Sequence, residues 1–134
     1  MIERLIFILF LAVAGVVAYR VYVSYQIRRA MLVAPVDPLL MHWRRGIPAI
    51  VYFTTPNCAP CRLQQTPTLQ KLEAEFGEAL SVIRVDATAN PDAADRWQVF
   101  SVPTTFILDK DGQPRRVFNG VVDGETLKRE LKDI

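Results

Sequence analysis

The chain has 134 residues, a length that accommodates one globular domain with one appended segment. Its formal net charge is only +2 and the basic residues are scattered along the chain, which argues against a nucleic-acid partner. The sequence contains two cysteines and one histidine, too few ligands for a four-coordinate zinc site. Because both cysteines lie in one motif, their number does not indicate a cellular compartment.

An apolar segment near the N-terminus is the first predicted element. The run from Leu5 to Tyr19 contains no charged residue, but a bilayer span needs roughly 20 residues. The run reaches Tyr25 if the long side chain of Arg20 extends to the lipid headgroups. The tyrosines of this extension are typical of a membrane interface, and they are Tyr19, Tyr22 and Tyr25. We therefore predict a single-pass membrane anchor and juxtamembrane segment at residues 1–29, with lipid contact over residues 5–25.

The processing and orientation of this segment have alternative interpretations. A cleaved signal peptide is the alternative to an anchor, because Val16-Val17-Ala18 is an acceptable cleavage site. The positive charge ahead of the run is small, since Glu3 offsets Arg4, and this favours the anchor. Under the positive-inside rule, the arginines after the run favour a cytoplasmic domain; they are Arg20, Arg28 and Arg29.

Residues 30–46 are predicted to link the anchor to the domain. Pro35 and Pro38 interrupt this segment, and Leu39–Trp43 are predicted to form one short helix against the domain. The only histidine, His42, lies in this helix, where we expect a surface or partly buried position and no catalytic or metal-binding role. Since the cysteine motif and the apolar core follow, a chain that begins at Met31 is expected to be soluble and active.

The residue pattern around the two cysteines indicates a redox site. β-Branched and aromatic residues at 49–53 predict a buried strand, and the residues from Leu63 to Phe76 have the composition of a helix. Asn57 is predicted to cap this helix, and Pro60 is tolerated because it falls in the first turn. Cys58 therefore lies where the helix begins.

The position of Cys58 at a helix N-terminus predicts its chemistry. The free N–H groups of the first turn, with Arg62 beside them, favour a thiolate there. Cys61 lies one turn on, on the same helical face. We predict that Cys58 is the nucleophile and that Cys61 resolves the mixed disulfide. A purely structural disulfide at this spacing would close a very small loop and would stabilise little.

The remaining segments alternate between strands and helices. Leu80–Val85 is predicted to be a strand parallel to the one before the motif, because a helix crosses between them. A short helix opens at Asn90-Pro91. Thr104–Leu108 and Arg115–Phe118 are predicted to pair as an antiparallel hairpin, and Asp123 is predicted to cap a last helix.

In order and spacing, these elements resemble the thioredoxin family over residues 46–134. The resemblance rests on short motifs in family order: Cys58-Ala59-Pro60-Cys61-Arg62, Pro67, Val85-Asp86, Asn90-Pro91-Asp92, Val102-Pro103-Thr104, Asp109-Lys110-Asp111-Gly112 and Gly120. It implies an α/β thioredoxin-like fold, a central mixed sheet flanked by helices, at residues 47–134, preceded by one N-terminal transmembrane helix. It also implies that Pro103 is cis and that it lies, with Val102, against the cysteine pair and docks the substrate backbone.

Two residues near the cysteines depart from the family pattern. Family members usually carry a tryptophan before the first cysteine, where this chain has Asn57. They often carry a buried aspartate at the position of Tyr52, and this aspartate is thought to take the proton from the resolving thiol. Because a tyrosine is a poor base at neutral pH, proton removal from Cys61 falls to water or to another carboxylate such as Glu73 or Asp86.

The resemblance implies a thiol–disulfide oxidoreductase that contributes to redox homeostasis. The Ala59-Pro60 dipeptide lacks the histidine of oxidase- and isomerase-like members, which favours the reduction of protein disulfides. Such a protein needs an external electron donor and no cofactor beyond its redox-active Cys58–Cys61 disulfide. Membrane-tethered bacterial members often work outside the cytoplasm. The resemblance therefore favours an extracytoplasmic domain, whereas the positive-inside rule favours a cytoplasmic one. The alternative function is a non-enzymatic thioredoxin-like binding module or a Cu(I) carrier.

Overall fold

The longest element of the computed structural model, which describes residues 1–134, is the N-terminal helix α1, Ile2–Val33. The strands are β1 Ala49–Thr54, β2 Ser81–Asp86, β3 Thr104–Leu108 and β4 Pro114–Asn119. The other helices are α2 Thr66–Phe76, α3 Pro91–Arg96 and α4 Gly124–Lys132. A π-helical turn at Cys61–Gln65 leads into α2, and 3-10 turns occur at Ala34–Val36, Pro38–Leu40 and Gly77–Ala79.

The strands form one mixed sheet in the order β2-β1-β3-β4. β1 and β2 are parallel, as predicted from the helix that crosses between them. β3 is antiparallel to both β1 and β4, which confirms the predicted hairpin. The expected mixed sheet flanked by helices is therefore present.

Both faces of the sheet are buried, because successive side chains of β1 point to opposite sides. One face carries Val51 and Phe53 and packs against α3 and the end of α1. The other face carries Ile50 and Tyr52 and packs against α2 and α4. Trp97, which follows α3, is fully buried in the first of these cores.

Two helix boundaries lie at residues that favour helix ends, and one of them is the predicted cap Asp123. Gly77 ends α2 with a φ of 55°, a conformation that favours glycine. The carboxylate of Asp123 caps α4 by accepting the backbone N–H of Thr126 at 3.2 Å. Leu127 and Leu131 of α4 are then buried against the sheet.

Helix α1 has two parts with different surroundings. Its first part is apolar and exposed: an 18-residue stretch has a mean hydropathy of 2.3, and none of it is buried. Such a helix is long and apolar enough to cross a membrane, and a signal sequence fits the same length and composition. The last turns pack on the domain, where Gln26 and Ala30 are fully buried.

Gln26 joins α1 to the rest of the domain by hydrogen bonds. Its side-chain amide donates to the backbone oxygen of Gln98 at 3.0 Å and accepts the side-chain N–H of Asn119 at 2.9 Å. The helix also continues past the expected boundary at residue 29 and adds Ala30 to the core. A chain that begins at Met31 lacks these contacts, so we expect it to be less stable than one that keeps Gln26 and Ala30; its solubility and activity stay predictions.

Asp37 holds the segment that follows α1. Its carboxylate accepts the backbone N–H of Leu39 at 2.9 Å, the indole N–H of Trp97 at 2.8 Å and the guanidinium of Arg96 at 3.0 Å. The short helix predicted here is a 3-10 turn, Pro38–Leu40. The connecting segment is therefore tied to α3 through one buried carboxylate.

We expect Asp37→Asn to destabilise the domain in a pH-dependent way. Burial disfavours the charged carboxylate, but the hydrogen bonds from Arg96, Leu39 and Trp97 outweigh this effect, so the pKa of Asp37 lies below its ordinary value. The stabilisation is therefore complete above the unfolded-state pKa and is lost as the pH falls through the lower folded-state pKa. The substitution should lower the free energy of unfolding by about 1–3 kcal/mol near neutrality.

Urea unfolding at about pH 7 and about pH 3 measures this difference. The Arg96 side chain is 37% exposed, so water screens the ion pair and the hydrogen bonds to Trp97 and Leu39 dominate the expected loss. Asp92→Asn, at an exposed position of α3, is the matched control and should change little. An equal loss for Asp37→Asn at both pH values would contradict the role of its charge.

Candidate functional site: the cysteine pair

Cys58 lies where the chain turns from β1 into the helix. Its backbone oxygen accepts the N–H of Arg62 at 3.1 Å, so the helix begins at this residue. Its Sγ accepts the N–H of Cys61 at 3.2 Å, as a capping side chain does. Asn57, the predicted cap, is instead exposed within a turn that the Cys58 N–H and the Thr55 oxygen close at 3.3 Å. The cap is therefore the cysteine sulphur itself.

The two cysteines form a disulfide, with Cα atoms 5.2 Å apart. Cys58 keeps 9% of its surface exposed, whereas Cys61 keeps 1%. The more accessible cysteine thus lies at the helix N-terminus, where unpaired N–H groups stabilise negative charge. This arrangement fits the prediction that a partner disulfide meets Cys58 first.

A π-helical turn that begins at Cys61 leads into α2. The N–H of Thr66 bonds to the oxygen of Cys61, and Pro67 at the start of α2 has no N–H to donate, which accounts for the irregular turn. Gln65 in this turn is fully buried. Its side chain accepts the N–H of Val122 at 2.8 Å and donates to the oxygen of Val122 at 3.2 Å. These bonds fix the motif helix to the loop before α4.

The sequence interpretation missed Gln65. Its spacing from Cys61 was the available signal, because residues four apart share a helical face. A glutamine that follows a buried cysteine on this face needs polar partners in the core.

The Val102–Pro103 peptide is cis, as the resemblance implies. Val102 packs against the core that contains both cysteines, and Pro103 is buried. The oxygen of Pro103 accepts the N–H of Gly120 at 2.8 Å, and the φ of 117° at Gly120 favours glycine. The position of Val102 and Pro103 against the cysteine pair, and substrate docking by them, stay predictions.

The other motif residues are on the surface. Ala59 and Pro60 form the exposed first turn of the helix. Arg62 is exposed as well and lines a shallow depression together with Asp86. His42 is exposed, and no group of three or more His, Cys, Asp or Glu residues is placed to hold a metal ion.

Tyr52 lies beside the helix that carries Cys61. Its hydroxyl is 3.2 Å from Oγ1 of Thr66 and donates to the backbone oxygen of Cys61 at 3.4 Å. Neither contact involves the Cys61 sulphur. The tyrosine therefore supports the helix backbone and supplies no base to the thiol.

Both carboxylates named as alternative bases are engaged elsewhere. Glu73 forms an ion pair with Arg84. Asp86 accepts the hydroxyl of Thr88 at 2.6 Å and its backbone N–H at 2.9 Å, and these bonds lower the pKa of Asp86. A carboxylate with a lowered pKa is a weaker base, so we expect water to accept the proton from Cys61.

We therefore expect resolution by Cys61 to depend steeply on pH. Without a neighbouring base, its rate should follow the thiolate fraction and rise about tenfold per pH unit below the pKa of the thiol. Tyr52→Asp should flatten this profile, because the new carboxylate takes up the proton. Stopped-flow measurement of the release of the second substrate thiol across pH gives the slope.

Tyr52→Asn is the control for Tyr52→Asp. It also removes the ring and leaves a side chain of nearly the same size, but it adds no carboxylate. It should keep the steep profile. A flat profile in the unmodified protein would mean that another group already acts as the base.

The cysteine pair and the sheet around it match known proteins. A family model described as Thioredoxin matches residues 43–133. A thioredoxin of Mycobacterium bovis is 38% identical over 87 residues, which cover 65% of this chain and 73% of the relative. A thioredoxin of Mycolicibacterium smegmatis is 42% identical over 88 residues, which cover 64% of this chain and 77% of the relative.

Solved structures agree with the fold. Mitochondrial thioredoxin 3 from Saccharomyces cerevisiae, in its oxidised form, is 25% identical and covers 68% of this chain and 81% of its own, with a TM-score of 0.58. Thioredoxin-2 of the malaria parasite is 23% identical and covers 68% of this chain and 86% of its own, with a TM-score of 0.63. The matched part begins after α1 in the family comparison, so the apolar part of that helix lies outside it.

Proposed function

Because the chain belongs to the thioredoxin family and is a thiol–disulfide oxidoreductase, we propose that it reduces protein disulfides from a position fixed to a membrane by α1. The observation that carries the proposal is Cys58, the more exposed cysteine of the pair, whose sulphur accepts the N–H of Cys61 at a helix N-terminus. By keeping partner thiols reduced, the protein contributes to redox homeostasis.

The exchange balances without a cofactor. The Cys58 thiolate attacks one sulphur of the substrate disulfide, the substrate S–S bond breaks, and the departing thiolate takes up a proton. The Cys61 thiolate then attacks Sγ of Cys58 and releases the second substrate thiolate, which is also protonated. Two electrons have passed to the substrate, and the cysteines hold the disulfide seen in the structure. An external dithiol donor must return those electrons.

Val102 and Pro103 are proposed to hold the substrate beside Cys58. Val102 lies against the core that includes the cysteines. Proline has no N–H and the Pro103 oxygen is bonded to Gly120, so we assign the pairing with an extended substrate segment to the backbone of Val102. The residues next to the two cysteines in sequence are exposed and are proposed to support the site; they are Asn57, Ala59, Pro60 and Arg62.

The exposed part of α1 supports the membrane attachment. Large apolar side chains cover it from Ile2 to Val21, and a water-soluble monomer rarely exposes so large an apolar surface. Burial in lipid removes this surface from water. Carbonate-resistant sedimentation of the full-length chain with membranes is the expected result, and a mature protein that begins at Tyr19 would contradict it.

Insulin reduction by the detergent-solubilised chain, with dithiothreitol as donor, tests the proposed activity. Reduction that depends on Cys58 is expected. A binding module or a Cu(I) carrier would be inert in this assay, which separates the alternative function from the proposed one.

A further inference from the structure

We propose that the cysteine end of the domain faces the bilayer that α1 enters, and that its substrate disulfide belongs to an integral membrane protein and lies at the level of the lipid headgroups. This inference rests on the proposed function, in particular on α1 as an anchor. It adds to that function a direction for the site and a class of substrate.

Contacts along α1 show which end of the domain is nearer its N-terminus. The ring of Tyr22 lies 6.3 Å from that of Phe100. About one turn later, Gln26 accepts a hydrogen bond from Asn119, the last residue of β4. Just beyond the end of α1, Ala34 borders the same surface depression as the β3–β4 turn. The helix therefore runs from the end of the sheet where β4 finishes towards the end where β3 finishes.

The strand directions put the cysteines at the end nearer the N-terminus of α1. Asn119 of β4 pairs with Thr104, the first residue of β3. Thr104 also pairs with Phe53 near the end of β1, because β1 is antiparallel to β3. The chain continues from this end of β1 to Cys58. Pro103, directly before β3, lies at the same end.

The length of the apolar segment sets how close this end lies to the membrane. A hydrocarbon core of about 30 Å takes roughly 20 helical residues. Counted from Leu5, where the predicted lipid contact begins, they end near Ser24, within one turn of Tyr22. The ring of Tyr22 lies beside that of Phe100 of the domain. Because α1 continues as one helix to Val33, no hinge separates the span from the docked part. The cysteine end therefore lies in or next to the headgroup layer.

Exposed apolar side chains near the cysteine end agree with this placement. Leu63, Phe100 and Val121 are exposed near the cysteine end, where contact with the lipid boundary would remove them from water. Other exposed apolar side chains lie at the end of α1 and in the segment that follows it; they are Leu32, Val36 and Met41. The direction of α1 relative to the strands is the decisive observation.

A thiol that faces the membrane reacts preferentially with disulfides that lie at the same distance from the bilayer. A soluble protein must enter the space between the domain and the lipids before its disulfide reaches Cys58. A disulfide on a juxtamembrane loop is already held at that height, and confinement to one surface raises its effective concentration. The chemistry is unchanged: the substrate S–S bond becomes two thiols while the Cys58–Cys61 dithiol becomes a disulfide.

Depth-dependent fluorescence quenching tests the orientation independently of activity. A fluorophore is attached at Ser101→Cys, near the cysteine end, or at Lys110→Cys, in the β3–β4 turn, in a full-length chain that also carries Cys58→Ser and Cys61→Ser. The two positions are separated by at least the length of β3, about 14 Å. In liposomes with headgroup-attached quenchers, Ser101→Cys should be quenched several-fold more strongly. Equal quenching, or stronger quenching at Lys110→Cys, would overturn the orientation.

A lengthened helix tests the substrate class. Seven helix-forming residues inserted after Arg20 raise the domain by about 10 Å and turn it only slightly, since seven residues make about two turns. The substrate is a single-span peptide with a disulfide just outside the apolar stretch at each end. The lengthened chain should reduce it about tenfold more slowly than the unmodified chain in the same liposomes.

Insulin reduction in detergent keeps the two proposals apart. Both chains should reduce insulin equally there, because no bilayer restricts access. Failure of both chains on insulin would refute the proposed reductase activity. Equal rates on the membrane peptide, with insulin activity intact, would refute the inference alone.

Discussion

Cys58→Ser is expected to lower disulfide reduction by about three orders of magnitude or more, because a serine hydroxyl at neutral pH is a far weaker nucleophile than a thiolate. Cys58 is the more exposed of the two cysteines and accepts the Cys61 N–H at the helix N-terminus. The one remaining cysteine, Cys61, is only 1% exposed and is therefore poorly placed to replace it. Turnover of insulin, followed by turbidity, measures the loss.

Cys61→Ser should give a different result. The Cys58 thiolate still attacks, but the mixed disulfide is not resolved and accumulates. Mass spectrometry without reducing agent should show a covalent adduct with Cys61→Ser and none with Cys58→Ser. The variant that carries both substitutions controls for adducts formed elsewhere.

Alkylation of the reduced protein gives a second measure of the same division of roles. The thiolate at the helix N-terminus should react first at mildly acidic pH, where an ordinary thiol is protonated. Faster modification of Cys61 than of Cys58 would reverse the assignment of nucleophile and resolving thiol.

Local patterns were sufficient to predict most of the sheet and its connections. β-Branched runs, the Asp123 cap of α4 and the turn at Asp109-Lys110-Asp111-Gly112 each depend on a few neighbouring residues, and each appears where predicted. The cysteine pair was equally clear, since its meaning depends on a strand before it and a helix after it.

Contacts between distant segments were not predictable from these patterns. Gln26 bonds to Asn119 across 93 positions of sequence, and Asp37 meets Trp97 across 60. A single glutamine in an apolar helix has no periodic pattern that shows whether its side chain is buried against a polar partner or exposed to solvent. The end of α1 was therefore assigned to the anchor and linker, although it forms part of the core.

The helix cap shows a different limit. Asn57 has the side chain usually preferred at a helix cap, but the turn closed at Cys58 places it outside the helix. Residue preferences identify helix caps correctly on average. When the helix begins one residue later than predicted, however, a different side-chain atom accepts the N–H. Here that atom is the Cys58 Sγ, so the cap and the reactive group coincide.

The boundary within α1 leads to an expected contrast between two truncated chains. Removal of residues 2–20 should give a soluble protein that keeps insulin reduction, because Gln26 and Ala30 remain in place. Removal of residues 2–30 should lower the free energy of unfolding by about 3 kcal/mol or more, since it leaves Asn119 without its partner and uncovers apolar side chains of the sheet. That loss is a large fraction of the stability of an ordinary domain.

Urea unfolding and insulin reduction of both truncated chains measure the contrast. In the chain that lacks residues 2–20, Gln26→Ala should reproduce part of the loss, about 1–3 kcal/mol, because it removes the bonds to Gln98 and Asn119. Arg28→Ala, at an exposed position of the same helix, should cost little and controls for helix propensity. Equal stability of the two truncated chains would show that the domain does not need α1 for its stability. The predicted anchor boundary at residue 29 would then be correct.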